Sequence, residues 1–147
     1  MMETQILFLI KIVYILAIAY VIGLQREIAG KDLGFRSIAL VMLGAFGFTY
    51  TAYNSDGVID YHVIAQIVSG ISFVGAGLIF KDKNVHNLTT AILVWVCAAM
   101  GVMVCLGMFI EVFCLSVITA KDVTSEPVPD VVGIATICAF SPSFGNL

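Results

Sequence analysis

Between Ile6 and Leu24 the chain carries a single charge, Lys11, in a run that is otherwise apolar or aromatic. At ~1.5 Å of rise per residue, such a run crosses the ~30 Å hydrocarbon core of a bilayer as one helix. The rest of the chain repeats the pattern. With 61% of its residues hydrophobic and only 12% charged, it lies outside the range of soluble globular domains and reads as an integral membrane protein. The leading MMETQ has no basic residue, and the apolar run continues past Ala17–Ala19, so removal of this segment as a signal peptide is disfavoured and the first span is expected to stay.

Charged or turn-forming stretches punctuate the apolar runs. QREIAGKDLGFR follows the first, NSDGVIDYH the second and KDKNVHN the third. From Leu88 to Ala120 the chain is apolar except for Glu111, too long for one perpendicular helix, and it reads as two spans joined by a tight turn at LGM. The expected spans are 6–24, 37–53, 63–80, 88–105 and 106–120, followed by a tail, 121–147, of unknown role. Its apolar piece from Val131 to Phe140 is too short to span. Basic residues fall in alternate connections on this segmentation. Arg26, Lys31 and Arg36 lie in the first, Lys81 and Lys83 in the third and Lys121 after the fifth, which predicts an outer amino terminus and a cytoplasmic carboxy terminus. A single tilted helix over 88–120 would reverse the carboxy-terminal side.

With 147 residues, most of them in spans, there is no room for a soluble catalytic domain, so an enzyme is not expected. A net charge of −3 without a basic patch gives no reason to expect nucleic-acid binding. Cys97, Cys105, Cys114 and Cys138 lack C-x-x-C spacing and read as small packing residues. His62 and His86 fall on opposite sides of the membrane and cannot share a metal within one copy. Neither a metal nor a cofactor is expected.

The third span is polar and glycine-rich for a membrane helix. On a helical wheel Ala65, Ser69, Ser72 and Ala76 share one nearly flat face. Helices in lipid associate through close packing of small residues and interhelical hydrogen bonds, so the third span is expected to be central and to form a hairpin with the small stripe Ala91, Ala98, Gly101 and Cys105 of the fourth. The fold class is an all-α bundle of about five transmembrane helices with a small-residue-packed central hairpin. Gln66, Ser69, Ser72, Gly75, Gly77, Thr89 and Thr90 are candidates for helix packing or for a polar cavity, with Gln66 serving either a cavity or a structural hydrogen bond. Lys11 and Glu111 either pair within the membrane or reach separately for the interface. At the inner side Arg26, Glu27 and Arg36 either meet anionic lipid or form a buried network that positions a partner.

GLQRE at Gly23 to Glu27, LVMLGA at Leu40 to Ala45, AQIVSGISFVGAGLIF at Ala65 to Phe80 and LTTAILVWVCAAMG at Leu88 to Gly101 give the chain a resemblance to the MgtC/SapB family of bacterial inner-membrane proteins. Against the usual pattern of that family, Gln25 replaces an acidic residue, Ser72 a glycine, His62 an arginine, and His86-Asn87 an arginine-glycine pair. The resemblance implies a role in adaptation to low magnesium and survival inside host cells. Its mode would be regulatory, by contact with membrane partners such as the proton-driven ATP synthase. The alternative is a small transporter or channel for magnesium or another cation, with Gln66, Ser69 and Ser72 along its path. Magnesium favours an octahedral shell of oxygen ligands, and the spans supply only Glu111 as a carboxylate. The lipid bilayer is the one certain partner, and a homo-oligomer stays open.

Overall fold

The computed structural model describes residues 2–31, 33–52, 60–79 and 88–123. The KDKNVH connection with Lys81, Lys83 and His86, Asp56, and the tail from 124 onward with Cys138 lie outside the described residues. The described chain forms five helices and no strand: α1 (Met2–Ile28), α2 (Phe35–Thr51), α3 (Tyr61–Ile79), α4 (Leu88–Leu106) and α5 (Phe109–Val123). Among the described residues α1, α3 and α4 are long and apolar enough to cross a membrane, while α2 and α5 are shorter apolar helices. The 17 residues of α2 still measure about 25 Å.

Two glycines end helices in the same way. At the end of α1, Gly30 takes φ 65°. Its N–H and that of Lys31 then donate back to the carbonyls of Glu27 and Arg26. At the end of α4, Gly107 takes φ 86°, and the N–H groups of Gly107 and Met108 return to Val104 and Met103. This left-handed cap suits glycine because a Cβ would crowd the carbonyl, and it reverses the chain abruptly. The segment 88–120 is therefore two helices.

Packing alternates in direction. The start of α1 lies beside the end of α2, with Phe8 against Tyr50 at 4.8 Å between ring centroids. The end of α1 lies beside the start of α2, where a Cβ on Gly23 would collide with the Phe35 backbone. Tyr14 stacks edge-on with Phe109 at the start of α5. The bundle thus runs up and down, with α1, α3 and α5 parallel to one another.

The hub is α4, which touches each of the other four helices. It is apolar all round and buries residues on most of its circumference, among them Val94, Cys97, Met100 and Val104, as expected of a helix surrounded by others. Ile15, Ile18, Ala19 and Ile22 of α1 meet it at the i, i+3, i+4, i+7 spacing of one helix face, together with Ile38, Met42 and Phe46 of α2. The closest approach is at Gly101, where a Cβ would strike the Met42 carbonyl oxygen.

The sequence reading of α3 needs correcting. This helix touches only α4 and α2, and just 6% of its spanning window is buried. Ser69 and Ser72 are exposed, and Ala76 is half-buried. The α3–α4 contact uses another face, where buried Gly75 lies against Ala91. The physical reason is visible at Ser72, whose hydroxyl donates to the Val68 carbonyl one turn back at 2.8 Å. A serine whose proton is used on its own helix can stay at the exposed edge of a contact, where its oxygen still accepts the indole N–H of Trp95 from α4. The expected α3–α4 hairpin does form, with Gly75 against Ala91, but the seam at the centre of the bundle is the α2–α4 contact at Gly101.

Candidate functional site

At the end of α1 opposite the Gly107 turn, Arg26 is 2% exposed. Its Nη2 donates to the Thr90 hydroxyl at 2.7 Å. A guanidinium cannot shed its charge, so enclosing it inside an apolar bundle demands acceptors close at hand. Arg26 occupies the last turn of α1, where the helix dipole favours a cation. Thr90 stands in the first turn of α4 and so joins the two helices at this level.

Arg26, Glu27 and Arg36 are not one network. Glu27 turns away to accept the N–H of Phe35 at 3.1 Å, capping the otherwise unpaired start of α2. Arg36, one residue further on, is exposed. The network was one of two readings, resting on all three lying at the inner side, but α1 ends between the first two and the third, and Glu27 serves the start of α2 while Arg36 is exposed. Thr89 is exposed beside buried Thr90, so the pair divides between outer surface and core.

At the other end the expected Lys11–Glu111 pair is replaced. Lys11 Nζ donates to the Cys105 carbonyl at 2.7 Å. The Gly107 cap serves the carbonyls of Val104 and Met103 and leaves that of Cys105 at the negative end of α4, where an ammonium is favoured. Tyr14, one turn along α1, donates its hydroxyl to the Phe109 carbonyl at 2.7 Å. Lys11 and Tyr14 together pin the α4–α5 turn to α1. No ion pair joins Lys11 to Glu111, and Glu111 is half-buried. Sequence reasoning overlooked this clamp because its acceptors are backbone carbonyls, which no residue letter reveals; the signal available was Gly107.

Of three clefts of about 410 Å³ among the described residues, one is lined by Gln5, Phe8, Leu9 and Tyr50, and two open elsewhere on the sides of the bundle. One lies between α1 and α5 and is lined by Tyr14, Val21, Gln25, Phe113 and Ser116. The other lies between α2 and α3 and is lined by Leu40, Gly44, Phe48, Gln66 and Gly70. Gln66 is exposed at the edge of the second, and Gly77 points a bare backbone outward, with nothing within 4 Å of where a Cβ would stand. Trp95 of α4 donates its indole N–H to the Ser72 hydroxyl at 3.2 Å, so Ser72 ties α3 to α4 as a helix-packing residue, with a donor that the small-residue reading did not name. Among the described residues no cluster of three or more His, Cys, Asp or Glu side chains could hold a metal.

Apolar helices packed on a central α4, with an arginine sealed at one end and a lysine capping a helix at the other, define an α-helical membrane protein. The chain belongs to the MgtC family, whose sequence profile matches residues 12–124. It is 30% identical over 112 residues to "Putative magnesium transporter YhiD" of Escherichia coli K12, covering 69% of this chain and 52% of that protein. It is 43% identical over 84 residues to the protein MgtC of Brucella abortus, covering 56% of this chain and 35% of that one. Against the protein MgtC of Salmonella typhimurium it is 39% identical over 89 residues, covering 60% and 38%. The chain thus spans about half, or less, of the length of these relatives. No solved structure matches it.

Proposed function

We propose that this chain is a regulatory protein of the bacterial inner membrane, linked to adaptation to low magnesium and to survival inside host cells. It acts by contact with other membrane proteins such as the proton-driven ATP synthase. Its amino terminus lies outside and the end of α5 in the cytoplasm, with Arg26, Lys31 and Arg36 on the cytoplasmic side. The link to magnesium rests on family membership and on the name carried by the Escherichia coli relative.

The observation that carries contact over transport is the filled centre of the bundle. Met42 of α2 closes onto Gly101 of α4, and Phe46, Met100 and Val104 are buried in the same core cluster. The buried hydroxyls nearby are spent within the chain: Thr49 donates to the Ala45 carbonyl and Thr119 to that of Leu115. A hydrated ion crossing here would have to displace close-packed apolar side chains and find oxygen ligands in their place. Such a bundle does its work at its surface.

The test is a pair of reconstitutions. In vesicles containing ATP synthase, adding this chain is expected to lower ATP-driven proton pumping, while liposomes holding the chain alone show no magnesium or proton flux above that of empty liposomes. Selective magnesium flux from the chain alone would overturn the regulatory reading in favour of a transporter.

A further inference from the structure

We draw no further inference here: the strongest candidate, the apolar cleft between α1 and α5 lined by Gln25, whose buried Oε1 has no hydrogen-bond partner among the described residues, carries nothing because it is bounded by the described residues alone and nothing in the structure shows what covers it.

Discussion

Gly101 and Thr90 mark where single residues decide the packing. At Gly101 the α2 backbone comes so close that any side chain must push the helices apart. Gly101→Leu is expected to lower stability by about 1–3 kcal/mol, the usual cost of overfilling a packed core, read as an earlier unfolding transition in detergent. Gly70→Ala, where space is open, should leave the monomer's transition in place. Thr90→Val keeps the shape but removes one acceptor of Arg26, the one that ties it to α4. A loss of about 1.5–3 kcal/mol is expected for a charge-assisted hydrogen bond, largely recovered in Thr90→Ser. Gly101 was legible in part, as one of the small stripe on α4. Its partner was not, since small residues announce a close approach without naming the helix that makes it.

At the scale of elements, the hydropathy of the runs and the left-handed preference of glycine made five helices and their order readable. Their ranking was not readable. In water, apolar residues point to the core, whereas in lipid the outer surface is as apolar as the interior, so the apolar character of a helix does not tell whether other helices or lipid surround it. Polar residues on α3 suggested burial, yet Ser72 satisfies itself on Val68, and it was α4 that took the centre. The clamp on the α4–α5 turn gives this scale its own test. Lys11→Met strands the Cys105 carbonyl and Tyr14→Phe the second contact. Each is expected to cost about 1 kcal/mol. In the double variant the losses should exceed their sum, because both bonds hold one turn. The readout is protease cleavage at Gly107–Met108, faster in the single variants and fastest in the double. Unchanged cleavage would mean that the glycine cap holds the turn unaided.

For the whole molecule, the up-and-down order and the distribution of charge support the orientation proposed above. The first connection, with Arg26, Lys31 and Arg36, and the end of α5 share one end of the bundle, while Asp60 at the start of α3 and the Lys11 level share the other. Basic residues are retained on the cytoplasmic side during insertion, whereas acidic residues such as Asp60 count for little. That asymmetry sets the last expectation. In whole cells making the chain with Cys97, Cys105, Cys114 and Cys138 replaced by alanine, a membrane-impermeant maleimide should label Asp60→Cys, while Lys31→Cys reacts only once the inner face is opened, as in inverted vesicles. Removing Lys31 and Arg36 together, both exposed, should yield a mixed population in which part of the chain is inverted. Arg26 is better left in place, because its loss would damage the fold as well as the orientation signal. Labelling of Lys31→Cys from outside in otherwise native chain would reverse the orientation, and with it the side of the membrane from which a cytoplasmic partner could reach the end of α1.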